Sequence, residues 1–158
     1  LREPNSAAIS QKIANKVFPD GNALGQTLIL DNRWSMKVTA IFEDMPETGH
    51  FKFDILISMA GLEEAKGTVF LSNNFQTYLL LKEGADAKAL EAKFPQMVIK
   101  YLGPQAAQVL GEDFSMEKFE ASGNKLAYTL IPLRDIHLHS DLTAELRPNG
   151  DITYIYLF

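Results

Sequence analysis

Apolar and polar positions alternate most cleanly between Trp34 and Phe42, where Trp34, Met36, Val38, Ala40 and Phe42 are interleaved with Ser35, Lys37, Thr39 and Ile41. A period of two marks a strand with one buried face. The compact turn Asp31-Asn32-Arg33 joins it to a second strand over Thr27 to Leu30. Upstream, the apolar stretch Ala7-Ala8-Ile9 runs into Ser10, a residue type that caps helices, and Ile13, Ala14 and Val17 then share one helical face. Pro19-Asp20-Gly21 stops that helix. Asp44 to His50 reads as a loop and Phe51 to Ser58 as another strand.

Past this point the pattern is less regular. Residues 59–74 combine a short helical pattern, Leu62 to Lys66, with Gly67 and Ser72-Asn73-Asn74, which makes them the best place for a subdomain boundary. Phe75 to Lys82 predicts a strand closed by Gly84. Asp86 then caps a helix carrying Leu90, Phe94, Met97 and Tyr101 on one face, with Pro95 forcing a kink or a restart. Gly103-Pro104 ends that segment, and Gln105 to Leu110 forms a second short helix. Residues 111–124 read as irregular, and Leu126 to Leu133 as a strand. Pro148-Asn149-Gly150-Asp151 is a turn signal before the apolar run Ile152 to Phe158. Strands and helices in this order predict an α+β fold with mixed sheets and a few helices.

Composition narrows the function classes. The 158 residues carry a formal net charge of -5 with the 15 basic residues scattered, so no nucleic-acid partner is expected. Cysteine is absent, which removes disulfides, thiolate metal sites and cysteine nucleophiles together. No apolar run reaches the roughly 20 residues of a membrane helix. The chain opens at Leu1 without an initiator methionine and closes on an apolar, aromatic run. That run reads either as a last buried strand or as the first turns of a membrane helix.

Ile136-His137-Leu138-His139-Ser140-Asp141 is the most chemically suggestive stretch. On a strand, His137 and His139 would share one side, with Asp135 and Asp141 close by. A metal site needs further ligands, and the remaining histidine, His50, is distant in sequence. A small metal-binding or metal-dependent hydrolase domain using His137 and His139 is therefore the alternative function, against local hydrogen bonding by the same residues. Gly21-Asn22-Ala23-Leu24-Gly25 lacks the Gly-Lys-Ser/Thr ending of a phosphate loop, and the adjacent acids Glu43-Asp44 and Glu63-Glu64 point apart. No catalytic, cofactor or metal residues are assigned, and the chain is not expected to be an enzyme.

Several stretches, in order along almost the whole chain, carry a resemblance. They are Pro4-Asn5-Ser6-Ala7-Ala8-Ile9-Ser10, Lys16-Val17-Phe18, Ala23-Leu24-Gly25-Gln26-Thr27-Leu28 and Val38 to Pro46. His50-Phe51-Lys52-Phe53-Asp54, Tyr78 to Asp86, Leu133 to Leu138 and Asn149 to Phe158 follow. Together they resemble the MacB-like periplasmic core domain of FtsX-like ABC-transporter permeases, with Ala40 standing where glycine is common. The resemblance implies a Sabre-like α/β subdomain over residues 1–70. Residues 71–158 would hold the second half of a porter-like βαβ subdomain and the start of a membrane-proximal segment. It implies a domain on the periplasmic side of the cell membrane, coupling cytoplasmic ATP hydrolysis to efflux or mechanotransmission. The implied partners are a cytoplasmic ATP-binding subunit, a second permease copy and a periplasmic protein. No cofactor is implied in this domain.

Overall fold

The computed structural model describes residues 1–111 and 113–157. By internal contacts the chain divides into two compact units, Leu1–Gly67 with the stretch from His137, and Thr68–Ile136. The fold is α+β, as expected.

The first unit is built on a four-stranded mixed sheet. Strand β1 (Ser6–Ser10) leads directly into helix α1 (Gln11–Val17), and the hairpin β2 (Thr27–Leu30) and β3 (Trp34–Phe42) follows, then the short β4 (Ile55–Ile57). The sheet order is β2-β3-β1-β4, with β1 parallel to β3 and antiparallel to β4. Parallel pairing of β1 with β3 needs a crossover, and α1 supplies it. Every residue of β1 is buried, because it has a strand on either side. Ile9, Ala14, Ala23, Leu28 and Val38 form the core, with Ile13, Phe18, Leu30, Ile41 and Ile55 packed around it. Val17, expected on the buried face of α1, is exposed, and Phe18 at the C-cap packs on the core instead.

The alternation in β3 holds for Met36 and Val38 and then changes phase. Ala7 pairs with Val38 but Ala8 with Ala40, so β3 carries one extra residue at Thr39. Such a bulge moves the following side chains to the opposite face. Ile41, read as a polar-side position, therefore reaches the core, while Ala40 is exposed. The Thr39 hydroxyl donates to the Ala7 carbonyl at 3.2 Å, which places a side-chain bond across the bulge.

At the hairpin tip Asp31 and Asn32 both have left-handed backbones, φ 51° and 55°, and the Arg33 N–H closes on the Leu30 carbonyl at 3.0 Å. Turns of this primed type match the twist of the two strands. Gly25 at φ 80° lets its own N–H reach the Val38 carbonyl at 2.8 Å while Gln26 accepts from Val38, which extends the ladder past Thr27.

The second unit is helical. After α2 (Glu63–Lys66) in the first unit come α3 (Ala87–Glu91), α4 (Phe94–Met97), a π-helical turn Val98–Leu102, α5 (Gly103–Leu110) and α6 (Met116–Ala121). Asp86 caps α3 by accepting from the Lys88 N–H at 2.8 Å, and α4 restarts the helix with Pro95 in its first turn, as expected. Gly103-Pro104 does not end the helix. The wide π turn before Pro104 gives its ring room against the preceding carbonyls, and the helix runs on. Val98, Leu102 and Ala106 form the buried stripe, whereas Met97 and Tyr101, expected there, are exposed. The irregular reading of 111–124 is corrected by α6, capped by the Ser115 hydroxyl, which accepts from the Lys118 N–H at 3.2 Å.

Two predicted strands do not form ladders. Residues 75–82 and 126–132 belong to no sheet among the described residues. The second keeps its period of two, with Leu126, Tyr128 and Leu130 half-buried between exposed neighbours, and the Leu130 N–H donates to Glu91 at 3.0 Å. The first is exposed throughout, Leu80 completely. Phe51–Ser58 shortens to the three residues of β4.

The junction of β1 and α1 makes a stability test. Ser10 is fully buried; its hydroxyl accepts from the Ile13 N–H at 3.3 Å and donates to Asp54 at 3.0 Å. Ser10→Ala removes both bonds and should lower unfolding free energy by about 1–3 kcal/mol. Urea titration would show a reduced midpoint at unchanged slope; an unchanged midpoint would contradict this account of the junction.

Candidate functional site

The stretch singled out for chemistry is a helix, α7 (Leu133–His139), not a strand. Helical geometry turns residues two apart by about 200°, so His137 and His139 point away from each other rather than sharing a side. Both are exposed. The His137 carbonyl accepts from the Gly150 N–H at 2.9 Å, and its ring lies beside Gly150. Among the described residues no group of three or more His, Cys, Asp or Glu side chains is placed to hold a metal ion. His50 is brought near Glu145, not into a ligand set with the other two histidines.

The stretch from Leu138 to Ile152 folds around an open concavity of about 800 Å³. Its order comes from the side chains of Ser140, Glu145 and Asn149. Ser140 donates to Glu145, Glu145 accepts from the Leu142 N–H at 3.3 Å, and the Asn149 amide donates to the Ser140 carbonyl at 2.9 Å and hydroxyl at 3.1 Å. The Ser140 hydrogen bond, with help from the Leu142 N–H, Asn149 and His50, holds the Glu145 carboxyl below the usual range against a smaller effect of burial. Asp151 is lowered likewise by Thr153, whose N–H it accepts at 2.8 Å as the cap of α8 (Ile152–Leu157). The apolar C-terminal run is thus helical from Ile152 to Leu157, and Phe158 lies outside the described residues. No described helix is long and apolar enough to cross a membrane.

Arg147 leaves this loop and reaches the 46–49 turn. Its Nη1 donates to the carbonyls of Glu47 at 2.8 Å and Gly49 at 2.9 Å. Glu47 also pairs with Lys52, which holds its carboxyl low. The local signal for Ser140, Glu145, Arg147 and Asn149 was slight, since each is a common polar loop residue whose partner is set only by the folded chain.

Three of the stretches that carried the resemblance, 4–10, 38–46 and 50–54, meet around one junction. Ser10 caps α1; Asp44 accepts from the Lys12 N–H at 3.0 Å; and Asp54 takes the Ser10 hydroxyl on its side chain and the Ser10 N–H, at 2.8 Å, on its carbonyl. Asn5, at φ 53°, turns the chain into β1 and accepts from the Lys37 N–H at 2.8 Å. These polar residues build the sheet and its helix. A family model for the MacB-like periplasmic core domain matches residues 1–97, the part of the chain that contains this junction. The chain belongs to that family. Among solved structures, a domain assigned to a permease protein of Porphyromonas gingivalis is similar at 22% identity and a TM-score of 0.48, over 64% of this chain and 48% of that one. The chain therefore spans about half the length of that relative. No curated protein matches it.

The Glu145 cluster has a definite pH sign. A carboxyl lowered in the folded state contributes stability above its unfolded pKa, which is lost as pH falls through the folded value. Protection of the Leu142 amide should therefore fall on acidification below about pH 4. Glu145→Gln should remove that dependence; an amide-exchange series showing the same acid response in both proteins would refute the assignment.

Proposed function

We propose that the chain is part of the extracytoplasmic domain of a bacterial ABC-transporter permease, a non-catalytic module that couples cytoplasmic ATP hydrolysis to export or mechanical signalling outside the membrane. The family match over residues 1–97 carries this reading. The partners that follow are a cytoplasmic ATP-binding subunit, a second permease copy and a periplasmic protein. Residues 1–70 correspond to the Sabre-like subdomain, and residues 71–158 to the second porter half and the membrane-proximal segment.

The second unit supports the domain reading. Only Val98, Leu102 and Ala106 are buried apolar residues in it among those described, while Phe75, Tyr78, Leu79, Leu80 and Leu81 lie exposed in a row. A strand-forming sequence that stays exposed and joins no sheet among the described residues is in keeping with a half-subdomain that pairs with another.

Two experiments test these readings. Because these 158 residues contain no cysteine, Lys66→Cys in a permease cleared of any other cysteine gives a single reporter. It should react with a membrane-impermeant maleimide in cells whose outer membrane alone is opened. Labelling only after the inner membrane is broken would place the domain inside and overturn the proposal. Leu80→Glu should leave the unfolding free energy of this chain within about 0.5 kcal/mol, since the side chain is fully exposed. The same change should lower the amount of assembled permease in the membrane several-fold. Unimpaired assembly would argue against a covered strand at 75–82.

A further inference from the structure

The C-terminal stretch from His137 belongs to the same compact unit as the sheet, yet it follows a separate helical unit in sequence. Arg147 ties it back by two hydrogen bonds. The two hydrogens of one guanidinium nitrogen go to two carbonyls of one turn, Glu47 at 2.8 Å and Gly49 at 2.9 Å, and that turn is closed by the Gly49 N–H on the Pro46 carbonyl at 3.0 Å. Two residues before Pro46 stands Asp44, whose carboxylate holds the Lys12 N–H at the start of α1. The next residue, Met45, accepts from the Phe53 N–H at 3.4 Å, beside Asp54 and its bonds to Ser10. On the other side of Arg147 the chain is stiff. Pro148 follows it, Asn149 is tied to Ser140, Gly150 to His137, and Asp151 caps α8.

We propose that Arg147 is a clasp joining the α8 strap to the 46–49 turn, so that displacement of α8 is felt at the Asp44 cap of α1. The path alternates hydrogen bonds with short stretches of backbone: α8 and its Asp151 cap, the chain back to Arg147, its two bonds to the turn, the chain to Asp44, then the Lys12 N–H at the first turn of α1. Two charged hydrogen bonds from a rigid planar fork resist displacement in a way that a single flexible ammonium does not. The Ser140–Glu145–Asn149 hydrogen bonds hold the strap to itself, whereas the Arg147 bonds run from it to the turn. The inference deepens the permease reading by naming a residue through which this unit would respond to its C-terminal helix.

The test is site-resolved amide exchange on the purified 158-residue chain, comparing wild type, Arg147→Ala and Arg147→Lys. In Arg147→Ala exchange at Gly49 and at Lys12 should rise at least tenfold, while the ladder amides of Ile9 and Ile41 keep their wild-type rates. Arg147→Lys should fall between the two. Faster exchange at Gly49 with Lys12 unchanged would reduce Arg147 to a local tie and overturn the coupling. If Arg147→Ala loses protection everywhere, Arg147→Lys decides, and wild-type rates at both amides in that variant would likewise overturn it. Because no transport or membrane enters the measurement, its failure leaves the permease reading standing, and failure of the cysteine-labelling test leaves the clasp standing.

Discussion

The fully buried hydroxyl of Ser10 is the bond on which the first unit turns. A strand that passes into a helix without a loop leaves the first helical N–H groups unpartnered at the edge of the core. Ser10 meets one of them through Ile13, and Asp44 meets another through Lys12. The hydroxyl must still place its own hydrogen, and Asp54 accepts it. Three segments distant in sequence are therefore drawn to one point: the end of β1, the loop after β3 and the approach to β4. Once they meet there, β1 lies between β3 and β4, and the order of the sheet follows.

This requirement accounts for residues in the stretches at 4–10, 38–46 and 50–54. Asn5, Ser10, Gly25, Asp44 and Asp54 are polar or small residues at special backbone positions, the kind often suspected of catalysis. Here each closes a backbone hydrogen bond or permits a turn. Their role is architectural, and the family match over residues 1–97 covers the region they organise.

How far the sequence could be read depended on whether the deciding interaction was local. The β2–β3 hairpin, the Ser10 cap, the Asp86 cap and the restart at Pro95 are set by neighbours within a few residues, and each is present. The bulge at Thr39 was not legible, because one extra residue in a ladder is visible only against its partner β1. Ile136-His137-Leu138-His139 alternates as a strand would, but four residues of alternation cannot outweigh a helical turn begun at Leu133. Ser140, Glu145 and Arg147 carry only a slight local signal, since their partners lie five to about a hundred residues away.

The segments 75–82 and 126–132 show the complementary failure, in which the residue pattern is right and the element is still missing. A strand's backbone N–H and C=O groups are satisfied only by a neighbour, so β-propensity states readiness to pair rather than the presence of a pair. Leu126, Tyr128 and Leu130 kept their alternation, with the Leu130 N–H tied to Glu91 of α3; Phe75 to Leu81 joined no ladder among the described residues and stayed exposed. The contrast with β1 is instructive, because Ala7-Ala8-Ile9 is a far poorer strand sequence than Tyr78-Leu79-Leu80-Leu81. It is a strand because β3 and β4 flank it and Ser10 anchors its end. In this chain, tertiary partners decide where the ladders form, and sequence decides only where they could.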